Sequence, residues 1–410
     1  MIHAKLCQPR IFPHNSARLP EQINRCQDLS GDLTLSQDKL FEIGRDGKLG
    51  VKKNTPSLAY PLTQYEYGSM DFWYALANIA DPASGGLDES IELEDLTSTM
   101  CEVSAYLTDD DNTFKGTIWF PKLRVAGFSL NIGDPNAAVQ RKFNLVGEDF
   151  KILPAKYFAY DDLLVDAGSG VEKTLTLSPV AIEYASGKYV FKVLRVRAGV
   201  VTELVEDDTS TYDANSWRYS AGGVIVQTCN AGDLIKAYYP AATAYTTLWT
   251  DNDVDPDALF AEDCAIYMKV GTSTKIYRLQ SVGIDVTLDR TDYKEIGNTE
   301  VVQTGVKGKT VTVKLDKYNE GFSLEALLNN DSGTYPYINP RDFVDTIQLR
   351  VEIYKKVNGV STFAMGYLIK ELSPTTLGTS QAIEDYNKMT NSLESDNIKI
   401  SSDLTELAFS

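Results

Sequence analysis

Residues 278–328 read RLQSVGIDVTLDRTDYKEIGNTEVVQTGVKGKTVTVKLDKYNEGFSLEALL. Val282, Ile284, Val286 and Leu288 alternate with Gly283, Asp285, Thr287 and Asp289. Alternation with period two marks a strand with one wet face and one buried face. The chain then turns through residues 290–297, returns through 300–304 and crosses 305–309. It alternates again at Val311, Val313 and Leu315. Residues 322–328 read as a short closing helix. The stretch therefore predicts a long hairpin capped by a helix.

A weaker copy lies near the N-terminus. Glu42-Ile43-Gly44 matches Glu295-Ile296-Gly297 at an offset of 253 residues. Tyr65-Glu66-Tyr67-Gly68 stands against Tyr318-Asn319-Glu320-Gly321 at the same offset, and apolar helical runs follow at 72–79 and 322–328. Further on, strands at 100–107 and 113–120 correspond to strands at 347–354 and 362–369, with Gly116 set against Gly366. Residues 148–152 parallel 395–400. A collinear series with nearly constant spacing implies an internal duplication. Two further helices are expected, at 384–393 and at its counterpart 137–143.

Residues 164–261 separate the copies. Short strands at 174–177, 189–196, 200–204, 217–219, 224–227 and 234–239 are punctuated by Gly187, Gly199, Gly222, Gly223 and Gly232. About a hundred residues of this texture suggest a small inserted β-sandwich. Residues 1–30 carry Pro9, Pro13 and Pro20 with little periodicity and read as an extended arm. The division expected is an arm at 1–30, a first unit at 31–163, the insert at 164–261 and a second unit at 262–410.

Composition narrows the chemistry. Of 410 residues, 43% are hydrophobic and 23% charged, enough for a sizeable core. No window approaches eighteen uninterrupted apolar residues, and the first ten residues lack the pattern of a signal peptide. The cysteines, Cys7, Cys26, Cys101, Cys229 and Cys264, include no CxxC and read as free thiols. The only histidines, His3 and His14, fall in the arm, which leaves little for His-dependent catalysis or metal binding. No phosphate cradle, HExxH or GxSxG occurs. The acidic runs at 108–112 and 251–255 read as solvated loops rather than cation sites, and no pair of carboxylates is singled out for acid–base work. The aromatics around residues 65–74 read as packing. A net charge of −18 opposes tight binding to a phosphate backbone. No enzyme, cofactor, metal site or membrane insertion is expected.

The layout resembles that of a phage tail tube (major tail) protein. The residues that carry the resemblance are the hairpin 281–304 with its Glu295-Ile296-Gly297 turn, the strand and helix 311–328, and the closing strands 347–372. The first copy adds 114–152, with Asn144-Leu145-Val146-Gly147-Glu148. The copies cover roughly 240 residues, and the motifs are layout and texture rather than a short signature. The departures are the duplication and the insert, which is similar to the immunoglobulin-like domains added to phage structural proteins. The implied fold is mainly β: two tandem tube-like β-sandwich/barrel units with short helices, plus an inserted Ig-like β-sandwich.

The resemblance implies a structural virion protein, assembled in the host cytoplasm into the tail. Its rings would stack into a tube through which double-stranded DNA passes without specific binding. A doubled unit implies a ring of three chains with pseudo-sixfold symmetry. Asp285, Thr287, Asp289, Glu300 and Gln303 would face the lumen. The hairpin turns Glu295, Ile296, Gly297 and Glu42, Ile43, Gly44 would lie at inter-subunit contacts. Other partners would be tape measure, terminator and baseplate proteins. A bulky outward insert favours a tail without a surrounding sheath. The alternatives are another virion structural protein (tail terminator, baseplate ring or capsid decoration), a carbohydrate-binding adhesion protein, or a β-rich glycan hydrolase.

Overall fold

The computed structural model describes residues 8–410 apart from 15–19, 35–36, 41–49, 54–55, 80–89, 110–112, 134–135, 199, 208–212, 244–256, 277–278, 294–302, 319–322, 329–340, 342–343, 345, 358 and 381–387. The molecule is mainly β. Two units of the same build lie in one strand system, and a seven-stranded sheet is attached to the first.

Each unit has an inner sheet of four strands. In the first, Ser57–Tyr65 pairs on one side with the strands Cys26–Leu29 and Asp32–Thr34, and on the other with Gln140–Gly147. Gln140–Gly147 then pairs with the far half of the long strand Phe114–Ile132. In the second, Gln303–Tyr318 pairs with Leu279–Tyr293 and with Lys388–Ser395, which pairs with the far half of Val360–Ser380. Asp32 opposes Ala59 as Asp285 opposes Thr312, and Leu33 opposes Leu58 as Val286 opposes Val311, each at an offset of 253. Gln37–Leu40 pairs with Gly50–Lys53 in the register that Arg290 to Tyr293 makes with Val306 to Gln303. The hairpin is thus duplicated residue for residue.

The long strands turn the corner of each unit. Their near halves lie in an outer layer. Phe114–Ile132 pairs there with Cys101–Thr108 and Lys151–Pro154, and Val360–Ser380 with Ile347–Val357 and Ile398–Ser401. At the corners Lys122 and Glu371 adopt left-handed backbone, φ 54° and 55°. Each corner is followed by a register shift, between Val125 and Gly127 and between Pro374 and Thr376. A left-handed residue and a bulge together let one strand pass from one sheet to the other. A non-glycine residue there costs about 1–2 kcal/mol, and both units carry the same strained corner.

Between the layers lies the main core. Val282, Ile284, Val286, Leu288, Val311, Val313 and Leu315 enter it from the second hairpin, and Leu58, Tyr60 and Leu62 from the first. The helix Asp71–Ala77 fills the first unit: Trp73 sits 4.9 Å from Phe128 and 5.0 Å from Phe143, ring centre to ring centre. Full burial of one such side chain contributes about 1.5–3 kcal/mol. The helix Ser323–Leu328 takes the equivalent place in the second unit.

The inner sheets join within the chain. Residues 127–132 of the first unit pair antiparallel with 282–287 of the second, from Gly127 opposite Thr287 to Ile132 opposite Val282. The result is a continuous curved sheet running from the strand containing Asp32 to the end of Val360–Ser380. Although the strands group as one barrel-like system, no ladder among the described residues joins these two ends.

The insert is a folded sheet in the order Tyr157–Leu164, Leu234–Ala241, Lys192–Arg197, Val200–Glu206, Ser216–Ser220, Gly223–Cys229, Val171–Thr176. It is antiparallel except for a two-residue parallel junction at Val205 and Glu206. Its first strand begins at Tyr157, seven residues before the boundary the sequence suggests, because Tyr157–Leu164 pairs along its length with Leu234–Ala241. Its core is shared with the first unit: Phe12, Tyr106, Trp119 and Leu153 pack with Phe158, Val193, Trp217 and Tyr238.

Three further expectations meet a different structure. The described part of the first thirty residues is built into the fold rather than standing apart as an arm. Gln8–Pro13 pairs with residues 101–106, Ile11 and Phe12 are fully buried, and Cys26–Leu29 opens the inner sheet. The helices expected at 137–143 and 384–393 are replaced by the strands Gln140–Gly147 and Lys388–Ser395, which are indeed counterparts of each other. Arg290, where the turn is expected to begin, still lies within a strand, because Leu279–Tyr293 continues past a register shift at Asp289 and Arg290.

Candidate functional site

The inner sheet turns one face to the core and the other outward. Asp285, Thr287 and Asp289 are exposed on the outer face, while Val282, Ile284, Val286 and Leu288 are buried on the other. The expected division of the hairpin is therefore present. Gln303 lies on the partner strand opposite Tyr293, and its side chain is outside the described residues. Glu300 and the turn residues Glu295, Ile296, Gly297, Glu42, Ile43 and Gly44 also fall outside them.

One row of side chains crosses the whole outer face: Asp28, Thr63, Lys142, Ser129, Asp285, Thr312 and Glu394 stand opposite one another in successive ladders. At ladder-paired positions of this face whose side chains are described, the carboxylates are Asp28, Asp32, Asp285, Asp289, Asp316 and Glu394, and the cations are Arg124, Lys142 and Lys314. Lys388, opposite Tyr318, takes a position of the same face with its side chain outside the described residues. The face is polar and acidic on balance. Asp32 was not singled out from the sequence. It was findable, since the offset that links Glu42 to Glu295 also links Asp32 to Asp285.

The seam between the units carries a clamp that the sequence hides. Half-buried Arg290 donates from Nε to the Val125 carbonyl at 2.5 Å, and from Nη1 and Nη2 to the Thr97 and Leu96 carbonyls, each at 2.9 Å. Burial, with Arg124 beside it, draws its guanidinium down to about 10, still charged at neutral pH. One side chain of the second unit thus ties down a bulge and a helical turn of the first.

Two buried charge networks among the described residues tie separate parts of the fold together. In the first, the Glu66 carboxylate accepts from Tyr67 N at 3.0 Å, Gly68 N at 2.9 Å, Arg141 Nη1 at 3.1–3.2 Å and the Tyr367 hydroxyl at 3.3 Å. Tyr367 belongs to the second unit, so this network crosses between units. Burial works to lower the Arg141 pKa, but Glu66, Tyr67 and Tyr367 together outweigh it and the net direction is upward. In the second, Glu102 accepts from Lys192 of the insert, from Trp119 Nε1 at 2.7 Å and lies 2.5 Å from His14 Nδ1. Lys192 also donates to the His14 carbonyl at 2.5 Å. The N-terminal strand region, the first unit and the insert meet at this one carboxylate.

Glu102 makes the insert's anchorage pH-dependent. Burial pushes its carboxyl upward, but Lys192 and His14 outweigh burial and hold it below its ordinary 4.5. A depressed carboxylate contributes stability that is whole above its ordinary range and is lost as pH falls through the folded value. Urea denaturation at pH values from 7 down to 4 should show the parent losing stability more steeply than Glu102→Gln, which begins less stable. Parallel curves would contradict the assignment.

Among the described residues no cluster of three or more His, Cys, Asp or Glu is placed to hold a metal ion. The acidic run at 251–255 lies outside them, and Asp109 of the other run is paired with Lys115 at 2.6 Å. The described cysteines Cys26, Cys101, Cys229 and Cys264 form no disulfide with one another.

No protein-family description matches the chain, and no curated protein matches it. Among solved structures, a chain of the anti-feeding prophage baseplate is similar over 33% of this chain and 91% of that one, at 12% identity and a TM-score of 0.26. A likeness this slight does not bear on function.

Proposed function

We propose that the chain is a structural subunit of a phage tail tube, a conduit rather than an enzyme. The observation that carries this reading is the internal seam. Two equivalent four-stranded units are already joined edge to edge through residues 127–132 and 282–287, and the same joint repeated between chains closes a ring. Three doubled chains supply six units and about 24 inner strands, enough for a channel roughly 40 Å wide. Pairing every edge also removes the aggregation hazard of exposed strands.

In such a ring the acidic outer face lines the lumen. Carboxylates there repel phosphate and let double-stranded DNA slide without binding. The insert, of immunoglobulin type in this reading, sits on the outer layer through Phe12, Tyr106, Trp119 and Leu153, away from that face. The ring stacks on itself in the virion tail, after assembly in the host cytoplasm. It meets tape measure, terminator and baseplate proteins at the lumen and the tube ends.

Sedimentation of the purified protein tests the ring. A closed species of about 136 kDa, three times 45.4 kDa, or stacks of it, is expected. Monomers that persist at high concentration would overturn the proposal.

A further inference from the structure

The inner sheet ends in two free edges of different sequence. One is the outer side of the strands around Leu29 to Thr34, which pair only with Ser57–Tyr65 among the described residues. The other is the outer side of residues 376–380, which pair there only with Lys388–Ser395. Each has a counterpart at the internal seam. Residues 376–380 stand where 127–131 stand, with the same bulge before them and the same register to the next strand. Residues 29–34 stand where 282–287 stand.

We propose that the free edge of one copy pairs with the opposite free edge of a second copy in the register of the seam. Gly127 opposes Thr287, Phe128 opposes Val286 and Ser129 opposes Asp285 within the chain. Thr376 of one copy therefore opposes Thr34 of the next, Leu377 opposes Leu33, and Gly378 opposes Asp32. This deepens the ring reading and rests on it.

Burial supports the match. At the seam Phe128 and Val286 are each 1% exposed. Their counterparts Leu377 and Leu33 are only half buried, although both take inward positions of the sheet. Bringing them together completes the core at the place where it is open. Pro374 fits as well. It corresponds to Val125, whose N–H has no role in the seam ladder, which begins at Gly127. The two edges differ, so the contact is head-to-tail, and repetition yields a ring or a filament rather than a twofold dimer. Gln37 occupies the position equivalent to Arg290. The joint between copies therefore lacks the guanidinium clamp and opens before the internal seam.

Cysteine cross-linking reads the register directly, because a disulfide needs Cα atoms within about 4.4–6.8 Å. Two pairs are made in the full chain: Leu33→Cys with Leu377→Cys on the inner face, and Asp32→Cys with Gly378→Cys on the outer. At Gly378 a Cβ meets nothing closer than 3.8 Å, so the outer pair disturbs packing little if the inner pair does. Thr34→Cys with Gly378→Cys keeps the outer face, where Thr34 is exposed, but misses the register by two residues. Mild oxidation should link chains into a closed covalent ring in an in-register pair, and the link should be lost in the offset pair and in the parent. Rings that form but link only in the offset pair, or in none, would overturn the register and leave the ring reading standing. Absence of rings, with no link in any pair, would overturn both.

Discussion

Arg141→Met in the otherwise unchanged chain is expected to cost about 3–5 kcal/mol of stability, since it leaves the Glu66 carboxylate charged and buried without its partner. Arg141 is 1% exposed and Glu66 is fully buried. The remaining donors, Tyr67 N, Gly68 N and the Tyr367 hydroxyl, carry no full charge. The position itself does not demand a cation: its counterpart in the second unit is Met389, which opposes Lys317 as Arg141 opposes Gln64. There the buried charge pair is built elsewhere, between Lys317 and Glu325 at 2.7 Å. Adding Glu66→Gln to Arg141→Met keeps an acceptor for the two N–H groups and removes the stranded charge, so the double variant should recover part of the loss. Urea denaturation measures both. A single variant that costs less than about 1 kcal/mol would show that the pair contributes no more than an exposed one.

The second large effect concerns DNA. Replacing Asp32, Asp285 and Asp289 together by lysine should leave the fold intact, since all three are exposed. It reverses the balance of the outer face. In assembled rings the variant should retain duplex DNA non-specifically at low salt where the parent does not. The retention should fall by about 10³–10⁵ between 50 and 200 mM salt if 6–10 phosphates are engaged. Virions carrying the variant should eject DNA poorly. Normal ejection, together with no gain of DNA binding by the assembled variant, would show that this face does not line the passage.

Much of this was legible in the chain. The alternation at residues 282–288 gave the buried and exposed faces correctly, and the offset of 253 carries residue for residue through the hairpin ladders. One of the four inner strands in each unit reads as a helix in the sequence, for a physical reason. Gln140–Gly147 turns Arg141, Phe143 and Leu145 inward, and Lys388–Ser395 turns Met389, Asn391 and Leu393 inward. Buried Arg141 and Asn391 break the binary pattern, and the apolar residues left over, such as Met389 and Leu393, fall four apart, as on a helix. The duration of the long strands was missed because a left-handed corner and a bulge interrupt each of them. The Arg290 clamp and the Glu102 junction were beyond reach, since their partners lie across the fold and several are carbonyls of the main chain.

Electron microscopy of the purified, assembled protein tests the central claim most directly. End-on averages should show an annulus with a channel roughly 40 Å wide, six equivalent inner lobes and three outer knobs, one for each insert. Knobs equal in number to the inner lobes would contradict the pseudo-sixfold ring of three doubled chains, and particles with no channel would contradict the conduit.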